Sequence, residues 1–209
     1  MPGLDPFDRH AEQYDAWFER HPHLYASELR ALRALMPRST LGIEIGVGTG
    51  RFALPLGIHW GADASVRMLE MAKARGLKSV SARAEVLPFK ASRFDLVLFV
   101  TTLCFLEDVE TALGEANRVL RCPGTILIGM FDRDSPLWSS FIREIRESIF
   151  FREARFYSVE LVTSLMRRLG FNQFEYCQTL GRPLIEIRKV EPVEKGFGEG
   201  LFAVIKASK

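Results

Sequence analysis

The sequence predicts an α/β fold in which a mostly parallel sheet carries helices on both faces. Three observations lead there. Short, continuously apolar runs recur at 41–45, 58–62, 78–83, 94–100 and 125–130. Stretches of helical length and pattern separate them, notably "ASVRMLEMAKARG" at 64–76 and "DVETALGEANRVLR" at 108–121. The first run passes directly into "IEIGVGTGRFA" at 43–53, a glycine-rich strand-to-helix connection. A strand buried on both faces shows no polar alternation, and parallel neighbours need long, usually helical, crossovers.

Taken in order, residues 8–20 read as one helix rich in aromatics, with Tyr14, Trp17 and Phe18 close together. A second helix places Tyr25, Leu29, Leu32 and Met36 on one face, and Pro37 stops it. The alternating strands and helices follow. Beyond 130, Ser135 and Pro136 read as the N-cap and first residue of a helix carrying Phe141, Ile142, Ile145 and Ile149. Ser158 caps the next helix, Leu161, Leu165 and Leu169 form its apolar stripe, and Gly170 ends it. "FNQFEYCQTL" (171–180) and "GLFAVIKA" (200–207) supply two late strands, joined by a polar connection at 181–199. With no repeat, low-complexity tract or linker, the expectation is a single domain over 1–209: a helical cap at 1–37, a cofactor-binding core at 38–130, and an insertion helix, last helix and two strands at 131–209.

Composition narrows the function. The net charge is +2, and where Arg143, Arg146, Arg152 and Arg155 gather, Glu144, Glu147 and Glu153 sit among them. That is the pattern of a solvated helix face, and no nucleic-acid partner is expected. The start lacks an apolar signal core and no run reaches the length of a membrane helix. Cys104, Cys122 and Cys177 are odd in number and widely spaced, which points to a reduced, cytoplasmic protein outside membranes. His21 and His23 have no clustered co-ligands, so no metal is expected.

The glycine loop carries the chemistry. A phosphate loop needs Gly-Lys-Ser/Thr, which is missing, and the dinucleotide fingerprint needs a third glycine where Arg51 stands. What remains is acid-x-Gly-x-Gly-x-Gly over Glu44, Gly46, Gly48 and Gly50. A carboxylate at Glu44 suits a ligand with a cationic amino group and would repel a pyrophosphate. Asp63, ending the second run, can accept both hydroxyls of a ribose. S-adenosylmethionine has both features.

At this point the residues carry a family resemblance. "EIGVGTG" (44–50), "GADASVRMLEMAKARG" (61–76), "ARAEVLPF" (82–89), "FDLVLFVTTLCFLED" (94–108), "ALGEANRVLRCPGTILIG" (112–129) and "ARFYSVELVTSLMRRLGF" (154–171) resemble, in order and spacing, the motifs of class I S-adenosylmethionine-dependent methyltransferases of the type-11 domain. The resemblance implies a Rossmann-like, seven-stranded sheet with a reversed last strand and a cofactor across the carboxyl ends of strands one to four. It places Glu44 and Gly46 by the methionine portion, Asp63 by the ribose, and Met68, Ala84 and Glu85 around the adenine. Tyr14, Val47, Gly48, Gly50, Ala64, Val100 and Thr101 complete the expected cofactor set. The alternative for Met68 is ordinary helix core.

The chain departs from the family in three places. Arg83 replaces a frequent Asp, Cys104 and Phe105 stand where His is common, and "CPGT" at 122–125 replaces Lys-Pro-Gly-Gly. No residue stands out as an obligatory base, and the expected chemistry is an in-line displacement governed by alignment, worth about 7–11 kcal/mol. Leu103 before Cys104 argues against the Pro-Cys nucleophile of cytosine methylation, and "VTTLCF" lacks the Asn/Asp-Pro-Pro-aromatic motif of nucleobase amino methylation. A small-molecule acceptor is therefore expected, with Trp17, Thr102, Phe105, Asp132 and Arg133 as candidate contacts. Trp17 could instead be core, and Asp132 with Arg133 a plain turn. The alternatives are a non-catalytic S-adenosylmethionine-binding module and, disfavoured by the missing glycine, a nucleotide-dependent oxidoreductase.

Overall fold

The computed structural model describes residues 5–38 and 41–209, so residues 1–4, 39 and 40 of the expected N-terminal region lie outside the described residues. Five strands run parallel: β1 (Gly42–Ile45), β2 (Trp60–Asp63), β3 (Lys78–Ser81), β4 (Phe94–Val100) and β5 (Leu120–Phe131). With β6 (Asn172–Thr179), β7 (Glu194–Lys195) and β8 (Phe202–Ser208) they form one sheet in the order β3-β2-β1-β4-β5-β8-β6-β7. β8 is reversed and lies antiparallel between β5 and β6. The expected Rossmann-like α/β architecture is therefore present, with eight strands in place of seven. The additional one, β7, pairs Lys195 with Cys177 and Glu194 with Gln178 inside the polar 181–199 connection. Two polar residues held only by backbone pairing carry no apolar period to read.

β4 shows why both faces are covered. Val97 and Phe99 join one buried cluster with Ala112, Leu113 and Ala116 of α5 (Val109–Val119) and Val159, Val162 and Met166 of α7 (Val159–Arg168). Leu96, Leu98 and Val100 join the other, with Leu29 and Leu32 of α3 (Pro22–Leu35), Leu69 and Ala72 of α4 (Val66–Ala74) and Phe141 of α6 (Trp138–Ile145). Successive side chains thus alternate between two helical layers. The side-chain oxygens of Ser65, Asp108 and Ser158 accept from the N–H groups of Met68, Thr111 and Leu161, fixing where α4, α5 and α7 begin.

Four local expectations need correction. The helix expected over 8–20 is two, α1 (Asp5–Arg9) and α2 (Ala11–Arg20), broken where His10 leaves helical geometry; Asp8 is drawn to α4, accepting from Ser65 Oγ at 2.5 Å. α6 begins at Trp138 because Ser135 Oγ accepts from Leu137 N and makes a turn first, and the helix ends before Ile149. The buried stripe of α7 is Val159, Val162 and Met166, leaving Leu161 47% exposed and Leu165 and Leu169 half-buried. "CPGT" lies within β5, where the pairing with β4 jumps from Phe94–Leu120 to Leu96–Thr125, so it forms an irregularity in a strand. Among the described residues no helix is long and apolar enough to cross a membrane.

Candidate active site

The carboxyl ends of β1, β2 and β4 meet at one edge, the customary ligand crevice of open α/β sheets. The loop after β1 turns back on β2: Gly46 and Val47 N–H donate to the Ala62 carbonyl at 2.8 and 3.1 Å. Gly46 has φ +72°, and an added Cβ would lie 2.2 Å from Thr102 Cγ2, so only glycine fits. Gly48 differs. At φ +50° its Cβ would meet only the Tyr14 ring, at 3.6 Å, leaving the backbone open to a cavity. Asp63 ties this loop to α4, since its Oδ2 accepts from Gly48 N at 2.7 Å and its Oδ1 from Ser65 N at 2.9 Å. Burial raises its carboxyl above the usual range, against those same N–H bonds.

A cavity of ≈ 120 Å³ opens beside Gly46, Gly48 and Asp63. Of the other expected cofactor residues, Tyr14, Ala64, Met68, Ala84, Glu85, Val100 and Thr101 line it. Three do not. Val47 packs behind Gly61, Gly50 lies against Ala72, and Glu44 is buried in β1 beneath the loop. Glu44 Oε2 is buried without a hydrogen-bond partner among the described residues, and burial holds this carboxyl well above its usual range. The sequence reading missed Phe7, Ala82, Leu106 and Glu107, which also line the cavity. Arg83 lines it too, with its guanidinium paired to Glu85 at 3.4 Å and Glu107 at 2.7 Å.

Behind a wall formed by Phe7, Tyr14, Thr101 and Phe105 lies a second cavity of ≈ 600 Å³. Its lining is rich in aromatic side chains, including Trp17, Phe18, Phe52, Phe131, Phe141, Phe150 and Phe151. Trp17 stacks on His21 at 4.6 Å, and Phe105 on Phe151 at 5.6 Å. Thr101, in the shared wall, has φ +51°, an unusual backbone for a β-branched residue; its N–H donates to the Gly129 carbonyl at 2.8 Å. Burial foremost, with the charges of Glu44 and Asp63, keeps the Tyr14 phenol protonated far above its ordinary range. In the floor sits Glu28, 4% exposed, its pKa pushed up to about 8 by burial. The sequence signal for it was available: an acid one turn from Leu24 and one from Leu32, both buried.

Of the expected acceptor contacts, Trp17 and Phe105 line the large cavity and Thr102 the small one, where its hydroxyl donates to the Val100 carbonyl at 3.0 Å. Asp132 and Arg133 reach neither. Asp132 Oδ1 accepts from Asp134 N and Val159 N, so it anchors the start of α7, and Arg133 opens onto a separate groove beside Arg146, Arg152 and Arg155. They form the plain turn. Cys104 is buried with its thiol directed at the Thr101 carbonyl at 3.4 Å, and burial pushes it up, away from the reactive thiolate.

Parallel strands closed by a reversed one, a glycine loop pinned by the acid after β2 and a ribose-sized cavity above them define the Rossmann-like methyltransferase class. Comparison with known proteins agrees. A family model for the type-11 methyltransferase domain matches residues 43–128. The crystal structure of an S-adenosylmethionine-dependent methyltransferase from Thermotoga maritima, described as a possible histamine N-methyltransferase, superposes with TM-score 0.93 at 44% identity, covering 99% of each chain. An uncharacterized protein of Methanocaldococcus jannaschii is 41% identical over 99% of this chain and 100% of its own length. A malonyl-[acyl-carrier protein] O-methyltransferase of Herminiimonas arsenicoxydans is 31% identical over 85% of this chain and 71% of its own length. The chain belongs to the S-adenosylmethionine-dependent methyltransferase family, whose cofactor is S-adenosylmethionine.

Proposed function

We propose that this protein transfers the methyl group of S-adenosylmethionine to a small molecule held in the large aromatic cavity. The observation that carries the reading is the shared wall of Phe7, Tyr14, Thr101 and Phe105, through which one cavity adjoins the other. A binding-only module has no use for a second cavity there.

The residues fit the cofactor. Gly48 leaves room at the backbone that a side chain would fill, Asp63 offers carboxylate lone pairs to the ribose hydroxyls, and Met68, Ala82 and Ala84 give apolar surface for a purine. Arg83, occupied by Glu85 and Glu107, cannot accept from the adenine amino group, so Glu85 and nearby backbone take that side. Glu44, whose Oε2 is buried without a partner under the loop, offers an open acceptor on the side of the amino end. Once bound, the cofactor supplies an already activated methyl group. The chain's part is to align the acceptor and exclude water, and the Phe7, Tyr14 and Phe105 rings do both at the junction. Thr102 holds the loop in place.

The named relatives point to different acceptors, an amine for one and a malonyl group for the other, so names alone do not choose. The test is a panel of amines, phenols, thiols and carboxylates offered with methyl-labelled cofactor, beside calorimetric titration of S-adenosylhomocysteine and NADH. S-adenosylhomocysteine should bind, NADH should not, and label should pass to at least one acceptor. Tight cofactor binding with no transfer to any class would favour the non-catalytic module. Binding of NADH alone would sink the reading.

A further inference from the structure

The large cavity is apolar through most of its wall, yet α3 sets one carboxyl group in it. Leu24, Glu28 and Leu32 occupy successive turns of the buried face of α3, so an acid stands in an otherwise apolar row. Burying a carboxylate costs several kcal/mol unless a donor or cation compensates it, and burial is the one influence on the Glu28 carboxyl among the described residues. Alone, the carboxyl meets that cost by keeping its proton, and a cation entering the cavity would favour its charged form.

Its other charged residues agree on the sign. Arg20 turns its guanidinium to the Ala16 and Gln13 carbonyls, at 3.3 and 3.5 Å, and His21 Nδ1 lies 2.9 Å from the Trp17 carbonyl. Glu144 and Glu147 add two carboxylates, so acids outnumber arginines around this space. The aromatic faces of Trp17 and Tyr14 favour a cation as well.

We propose that Glu28 binds the ammonium group of an aromatic or apolar amine, making that amine the acceptor class of the methyltransferase activity proposed above, on which this inference rests. Glu28 lines only the large cavity and is not part of the wall shared with the cofactor cavity. An ammonium nitrogen also has no lone pair with which to accept a methyl group. Glu28 is therefore an anchor, and the acceptor is two-ended: a cationic nitrogen at Glu28 and a separate nucleophilic atom at Tyr14, Thr101 and Phe105. Acceptors whose far end is a carboxylate are repelled by Glu28.

The experiment is calorimetric titration with phenethylamine and tryptamine, each in saturating S-adenosylhomocysteine, beside the neutral 2-phenylethanol and the anionic 3-phenylpropionate. The amines should bind about tenfold or more tightly than the alcohol or the acid. Glu28→Gln should abolish that preference while leaving S-adenosylhomocysteine affinity unchanged, and Glu28→Asp should keep part of it. If Glu28→Gln fails to fold, the wild-type preference and the Glu28→Asp result still decide. Equal binding of amine and alcohol, no binding of either amine, or a preference surviving in Glu28→Gln would overturn the proposal. S-adenosylhomocysteine binding without amine preference overturns Glu28 alone. Failure to bind S-adenosylhomocysteine overturns the methyltransferase reading, and this one with it.

Discussion

Replacing Asp63 with asparagine separates the two tasks assigned to this carboxylate. One oxygen accepts from Gly48 N at 2.7 Å and the other from Ser65 N at 2.9 Å, so both backbone donors are satisfied by one side chain. Asparagine has a single acceptor oxygen, and its NH₂ must then face the second N–H. A buried donor left unsatisfied costs about 1–3 kcal/mol. Burial already raises the Asp63 carboxyl, so removing its charge returns part of that cost and the net loss of stability should sit near ~1–2 kcal/mol. The ribose loses a charged acceptor as well, which should weaken S-adenosylhomocysteine by about tenfold or more, since ~1.4 kcal/mol is tenfold.

Urea denaturation and calorimetry read the two effects independently. The unfolding midpoint of Asp63→Asn should fall with its m-value unchanged, as a loss of stability without a change in the unfolded state requires. Lost stability with full affinity would make Asp63 a loop staple and move the ribose contact elsewhere. Lost affinity with full stability would refute the argument that it holds the glycine loop. Neither loss would refute both.

Gly48→Val should cost more affinity than Asp63→Asn: the backbone there is left-handed, and a branched side chain would occupy the opening beside Tyr14, so S-adenosylhomocysteine titration should show little or no heat. Asp15 should dominate the acid limb of stability. Burial raises its carboxyl, but hydrogen bonds from Arg51, Arg75 and Thr49 outweigh that and hold it well below the usual carboxylate range. With the folded pKa below the unfolded one, its contribution is full above about pH 4 and lost as pH falls towards the folded value. The urea midpoint of the wild type should drop through that window more steeply than that of Asp15→Asn, and parallel slopes would contradict the assignment.

The parallel core was legible because its signals are local. Apolar runs gave β1 to β4 within a few residues and the second half of β5, Ser158 marked a helix start by the bond it makes three residues on, and Gly46 had to be glycine for a reason sequence can suggest. Most of the expected cofactor residues line the smaller cavity, since they sit at strand ends or in the loop directly after. The larger cavity was less legible. It is assembled from α2, α3, α6 and the 147–151 segment, which meet only in the tertiary fold; Phe150 and Phe151 gave no motif, and the one cue to Glu28 was its place between Leu24 and Leu32. Asp132 and Arg133 misled for the same reason: position after β5 suggests the active edge, while backbone N–H groups of Asp134 and Val159 claim the side chain.

The N-terminal helices connect the two halves of the site. Asp15 of α2 binds Thr49 and Arg51 in the loop after β1 and Arg75 at the end of α4, while Asp8 of α1 binds Ser65 at the beginning of α4. Tyr25 of α3 adds a hydroxyl bond to the Arg51 carbonyl. These ties run to the segment that presents Gly48 and Asp63. On the same helices, Tyr14 stands in the wall between the cavities, and Trp17 and Glu28 line the larger one. Any shift of α2 that widened the larger cavity would therefore strain four charge-assisted bonds from Arg51 and Arg75 to Asp15 and Glu19, at 2.6 to 2.8 Å. The glycine loop and the wall between the cavities are thus held by one set of ties, which suits the alignment on which the proposed transfer depends.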